Sequence, residues 1–176
     1  MCSSDLGRGV GAGIICDGKI FRGSSGAAGE IGRMRISLEP EPEYQGESRH
    51  LEDLSRDSTL IAMVGAAKGR TVNYSDVLEL YRQGDVDVVR IFRKNAQFLA
   101  GALQIVANVL NPEAIILGGR ASELGERYLK DFKEEFYRGS SEISTRTQVF
   151  YSEFGRGGVA LGGAMMIVDQ ILNLNL

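Results

Sequence analysis

The strongest constraint in this chain is a stripe. Between about Asp85 and Leu110, the residues Val89, Phe92, Ala96, Leu99, Leu103, Val106 and Leu110 recur at intervals of three and four. At 3.6 residues per turn they share one face of a long helix. That face must be buried, either inside its own domain or against a second copy of the chain. Asn111-Pro112 ends the helix, because a proline pushes the residue before it away from helical geometry. Ala114-Ile-Ile-Leu117, closed by Gly118-Gly119, then reads as a buried strand. Leu124, Tyr128, Leu129, Phe132 and Phe136 stripe the next helix, Thr147–Ser152 reads as a strand, and Gly157–Leu172 as the last helix. Its apolar run, Val159–Val168, is too short to span a bilayer and reads as a buried helix. This alternation predicts parallel strands joined by right-handed helical crossovers.

The first third reads differently. Val10–Cys16 and Lys19–Arg22 are short runs separated by Asp17-Gly18, a strong hairpin signal, since a type I′ turn needs positive φ at both central positions. Arg33–Leu38 fits a third short strand. The acidic, proline-bearing Glu39–Glu47 reads as an exposed connection. Leu51–Lys68 has helical spacing, and Asn73–Arg82 is a helix with Asn73 at its N-cap. The sum is an α/β chain: a mixed sheet with an N-terminal hairpin and covering helices. Residues 7–176 form one domain of ordinary size. Residues 1–6 lead into no recognisable element and read as a non-native or disordered leader.

Composition excludes several classes. The net charge is −3, without the basic surplus that gripping nucleic acid by its phosphates requires. Two cysteines and one histidine make neither a disulfide framework nor a four-ligand metal site. No secretory signal or membrane span is evident, so a reducing cytoplasm is the expected compartment.

Four short stretches could carry chemistry. In Gly7-Arg8-Gly9-Val10-Gly11-Ala12-Gly13, alternate glycines let an anion approach backbone N–H groups; a tightly packed strand would need them equally. In Gly26-Ala-Ala-Gly29-Glu30-Ile31-Gly32-Arg33, glycines present Glu30, whose carboxylate can accept charge-assisted hydrogen bonds from hydroxyls. A surface pair of Glu30 with Arg33 explains the same residues. Glu52 and Asp53, beside His50, fit the start of a helix, where negative charge is favoured. Gly118-Gly119 closes a strand where α/β sheets bind ligands; a tight turn is the plainer reading.

Taken in order, these pieces resemble the ROK (repressor, ORF, kinase) family. The resemblance rests on Gly9–Ile15, Asp17-Gly18-Lys19, Gly26–Gly32, Asn108–Gly119 and Ala160–Ala164. It implies the second lobe of an actin-like (ribonuclease H-like) ATPase fold. It also implies that Glu30 and Glu52 hold sugar hydroxyls, with Arg33 beside them. Arg33 stands where the family usually has a histidine. The family's zinc-binding cysteine cluster is missing, so no structural zinc is expected. No catalytic residue and no cofactor are assigned to this chain.

Two functions follow from the resemblance. Arg8, the lost histidine and Leu161–Asp169 look more like the family's regulators. The expected function is therefore the effector-binding and oligomerising half of a sugar-responsive transcriptional regulator. DNA would be reached only through a helix-turn-helix region outside this chain. The alternative is the C-terminal lobe of an ATP-dependent sugar kinase. There Gly9, Gly11, Gly13, Gly118 and Gly119 would meet the Mg-bound nucleotide, and the chain would be inactive without its other lobe. A sugar ligand and self-association are expected either way.

Overall fold

The computed structural model describes residues 2–6, 9–38, 49–138 and 146–172. Strands β1 (Cys2–Leu6), β2 (Val10–Cys16) and β3 (Lys19–Ile20) come first. The helices α1 (Leu51–Ser55), α2 (Asp57–Lys68), α3 (Tyr74–Gln83) and α4 (Val86–Leu110) follow. Then come β4 (Ala114–Gly119), α5 (Gly125–Arg138), β5 (Gln148–Tyr151) and α6 (Gly158–Leu172). The five strands make one sheet in the order β3-β2-β1-β4-β5. β1 pairs antiparallel with β2 and parallel with β4, and β4 pairs parallel with β5. The sheet is mixed, as the sequence predicts.

The hairpin forms because Asp17 and Gly18 both take positive φ, 51° and 72°, as a type I′ turn demands. α4 buries most of its predicted face inside this lobe: Phe92, Ala96, Leu99, Leu103 and Val106 are in the core with Val88, Val89 is only partly buried against it, and Leu110, in the last turn, is exposed instead. The core residues meet Tyr128, Phe132 and Phe136 of α5, which are fully buried. Asp85 caps α4 by accepting from the Val88 N–H, and its carboxylate also binds Lys68 Nζ at 2.6 Å, tying α2 to α4. Asn73 caps α3 in a reciprocal box: its Oδ1 accepts from the Asp76 N–H at 3.0 Å, and Asp76 Oδ2 accepts from the Asn73 N–H at 2.9 Å. Replacing Asn73 by alanine strands the Asp76 N–H while the backbone half of the box survives, and chemical denaturation should show a loss of about 1 kcal/mol.

Four expectations need correction. Cys2–Leu6 is a strand between β2 and β4, not a disordered leader. Strand pairing is backbone bonding, so a segment without an apolar pattern can take the slot between two willing neighbours. Arg33–Leu38 is no strand. Ile31–Arg33 is a 3₁₀ turn, and Arg35 makes a single bridge to His50. Leu51–Lys68 is two helices, because Arg56 is extended at ψ 149°. Thr59 Oγ1 donates to the Asp53 carbonyl across this break at 2.8 Å, a side-chain bond that competes with helix continuation. Finally, α6 is not buried. Leu161, Met165, Met166, Ile167 and Val168 are all exposed, Ile167 to 61%. The helix lies chiefly against β4 and the Gly155–Gly157 turn, and these apolar side chains stay open.

Candidate ligand cleft at the end of the sheet

Leu6 is the Cα partner of both Val10 and Gly119. The start of β2 and the end of β4 therefore meet at one end of the sheet. Parallel strands β1 and β4 both finish there, the edge at which open α/β sheets take ligands. Gly118 and Gly119 are buried there, and Gly119 turns the chain with φ 63°. Gly7 and Arg8 lie outside the described residues.

The Gly26–Gly32 loop meets β2 at Ala12, on the side where β3 pairs only with Ile15 and Cys16. The Ala12 N–H donates to the Gly29 carbonyl at 2.8 Å. A Cβ on Gly29 would sit 1.8 Å from the Ala12 carbonyl oxygen, and φ there is 92°. Gly32 is equally constrained, since its Cβ would fall 2.3 Å from the Val10 carbonyl oxygen. Ile31 plugs the core below. Glu30, between these fixed points, is exposed. The glycines are thus needed for close backbone approach, which leaves the carboxylate facing outward.

Glu52 comes from α1. The Leu51 N–H donates to the Met34 carbonyl at 2.9 Å and Leu51 is fully buried, which sets the helix against the loop. The result is close contact. A Cβ on Gly9 would lie 3.2 Å from Glu52 Oε2, and one on Gly32 3.1 Å from the same oxygen. The structure thus brings Glu52 against both glycine motifs, at Gly9 and at Gly32 in the loop that carries Glu30, although these lie 43 and 20 residues before it in sequence. Among the described residues, neither the Glu30 nor the Glu52 carboxylate has a hydrogen bond or ion pair, and Glu30 makes no bridge to Arg33. Arg33 is exposed at the end of the 3₁₀ turn. Gly11 and Gly13 have open space where side chains would be.

One cluster was not foreseen. Arg120, directly after Gly118-Gly119, pairs with Asp57 at the start of α2. Its guanidinium lies over the Tyr74 ring, 4.2 Å from the centroid. Glu123 lies near the Tyr74 hydroxyl, where its charge helps to raise that phenol, and faces Arg156 Nε at 3.5 Å. Burial pushes the Tyr74 phenol well above its ordinary range. Burial also raises the Asp57 carboxyl, and Arg120 only partly offsets this by charge and hydrogen bond. The one hint in the sequence is an arginine placed straight after a strand-closing glycine pair.

This cluster makes a pH prediction. A carboxyl whose folded pKa exceeds its unfolded one favours the fold at low pH, and that contribution is lost as pH rises through the folded value. Arg120→Ala removes two lowering influences from Asp57. The variant should therefore lose stability relative to wild type as pH is raised from about 4 to 7. Parallel melting curves would reject this if the difference between the two chains stays constant across that range.

Among the described residues, no group of three or more His, Cys, Asp or Glu could hold a metal ion. No helix among them is long and apolar enough to cross a membrane.

The five-stranded mixed sheet with its covering helices has the actin-like ATPase fold, shared by solved ROK sugar kinases and regulators. A glucokinase from Streptomyces griseus, solved with glucose and AMPPNP, superposes with a TM-score of 0.80 at 26% identity, covering 94% of this chain and 59% of that one. The model of the ROK family matches residues 2–171, and the chain belongs to that family. The xylose repressor of Lactiplantibacillus pentosus is 30% identical over 168 residues, covering 95% of this chain and 42% of the repressor. A glucokinase of Halalkalibacterium halodurans is 29% identical over 185 residues, covering 94% of this chain and 55% of that enzyme. The chain thus spans about half the length of these curated relatives.

Proposed function

We propose that this chain is the sugar-sensing half of a ROK-family transcriptional regulator. The observation that carries the proposal is the Glu52 carboxylate, set against Gly9 and Gly32 beside the Glu30 loop, with no described partner of its own. Carboxylates kept unpaired next to closely approached backbone suit polyol hydroxyls. Each can accept two hydroxyl protons, and the bonds are charge-assisted. Arg33 supplies a donor fork in the same loop, suited to a ring oxygen, a hydroxyl or an acidic sugar group. Xylose repressors among the relatives support the regulatory reading.

The second reading is the C-terminal lobe of a sugar kinase, favoured by the glucokinase relatives. It would place a Mg-bound nucleotide against Gly9, Gly11, Gly13, Gly118 and Gly119. The open space at Gly11 and Gly13 suits close approach of a phosphate. Arg120 suits it less, because Asp57 and Tyr74 already engage its guanidinium. Under the regulatory reading no nucleotide and no zinc are required. The exposed α6 is where a further domain or a second copy would pack, and DNA would be reached only through a region beyond these residues.

Calorimetric titration with xylose, glucose and aminosugars, with and without ATP and Mg, separates the readings. The regulator should bind a sugar equally well without nucleotide. A sugar affinity that appears only with ATP, or phosphorylated sugar once the upstream half is supplied, would establish the kinase. Alone, this chain should not shift operator DNA, and a tight sequence-specific shift would contradict its assignment as the effector half.

A further inference from the structure

Beneath the break between α1 and α2 lies a small cavity of about 20 Å³, mostly apolar in its walls (Leu60, Phe92 and Leu124 among them), with Ser55, Asn95 and Arg120 also in the lining. Ser55 and Asn95 are among the few polar side chains in the core, 2% and 1% exposed. Ser55 Oγ and Asn95 Nδ2 are buried with no hydrogen-bond partner among the described residues. Asn95 Oδ1 is already engaged, accepting from the Tyr128 hydroxyl at 2.6 Å. Its amide hydrogens are therefore the group left over. Two orphaned polar atoms on the wall of one cavity are a built feature, since buried polar groups in native proteins are almost always satisfied.

Size selects the occupant. Small-molecule pockets run to roughly 300–1,000 Å³, so a sugar or a nucleotide has no place here. One water needs roughly 10–15 Å³ and two to four polar partners, and this cavity offers both.

We propose that the cavity is a site for one internal water molecule that bridges Asn95 Nδ2 to Ser55 Oγ. The water accepts from the Asn95 amide and exchanges a hydrogen bond with the Ser55 hydroxyl. Asp57 and Arg120 lie within the same lining for a further bond. The consequence is positional. Ser55 ends α1, the helix that carries Glu52, and Asn95 lies mid-way along α4, the core helix. Asp57 and Arg120 join the start of α2 to the residue after Gly119. The water therefore locks the helix holding Glu52 to the rigid core, and Ser55 is a positioning residue for the cleft. That last step, and only that step, rests on the sugar-binding reading.

The test combines a crystal structure of this chain at high resolution with melting and titration of Ser55→Ala. An ordered water within hydrogen-bond distance of both atoms is expected. The variant removes one of the water's partners and weakens its hold on the Asn95 amide, so its Tm should fall by about 2–5 °C. In a dry cavity the substitution would remove an orphaned hydroxyl, and the Tm would hold or rise. An empty cavity, or an unchanged or higher Tm, overturns the proposal. For the positioning role, Ser55→Ala should weaken the sugar that wild type binds by about 3- to 10-fold; unchanged affinity removes that role. If wild type binds no sugar, the cleft reading fails by itself, and the water is still judged from density and Tm.

Discussion

Titrated against the sugar that wild type binds best, the Glu52→Gln chain is expected to bind about 10- to 100-fold more weakly while melting within about 2 °C of wild type. The affinity loss follows from the type of bond. A hydrogen bond to a charged group contributes about 1.5–3 kcal/mol, and an amide keeps the shape while losing the charge and one acceptor. The small change in stability follows from the surroundings. Glu52 has no described partner to strand, and its oxygen faces Gly9 and Gly32 across van der Waals gaps that an amide fills equally. Glu30→Gln should behave alike, because both carboxylates serve one ligand under this reading. Full affinity in either variant would remove that carboxylate from the cleft. A large loss of stability would show that it serves the fold.

Gly29→Ala should be the most damaging single substitution in the cleft, costing about 3 kcal/mol or more and lowering the Tm by at least about 6–12 °C. Two penalties combine. Left-handed backbone costs an L-residue about 1–2 kcal/mol, and φ at Gly29 is 92°. The added methyl would also lie 1.8 Å from the Ala12 carbonyl oxygen, so the loop must move and give up the hydrogen bond from the Ala12 N–H. Gly26 is the control, with φ 81° and nothing within 4 Å of a Cβ. Gly26→Ala meets the strain without the collision and should cost only about 1–2 kcal/mol. Equal melting temperatures for the two variants would show that the loop sits off β2 in solution.

Local features of the fold were legible where local physics decides them. The α4 stripe, the α5 stripe, the Asp17-Gly18 turn and the Asn73 cap each depend on residues within one or two turns of one another. The Gly29-Glu30-Ile31-Gly32 stretch was legible as a presented carboxylate, because glycines on both sides of an acid leave few other conformations. The α1–α2 break was not legible, because its polar residues fit an exposed helical face as well as a kink; the Thr59-to-Asp53 bond decides it. α6 was misjudged because apolar content says a helix wants burial and is silent on whether its own lobe supplies the cover.

The chain's order of residues, taken alone, determines the two large helices, the hairpin, the glycine-flanked acid and membership of a family, since each rests on short-range spacing and backbone freedom. Tertiary structure alone decided that Cys2–Leu6 joins β2 to β4, that Glu52 arrives against Gly9 and Gly32, and that Arg120 is held by Asp57. These are contacts between segments far apart along the polymer. Packing the core and closing the sheet sets such distances, and no local pattern encodes them.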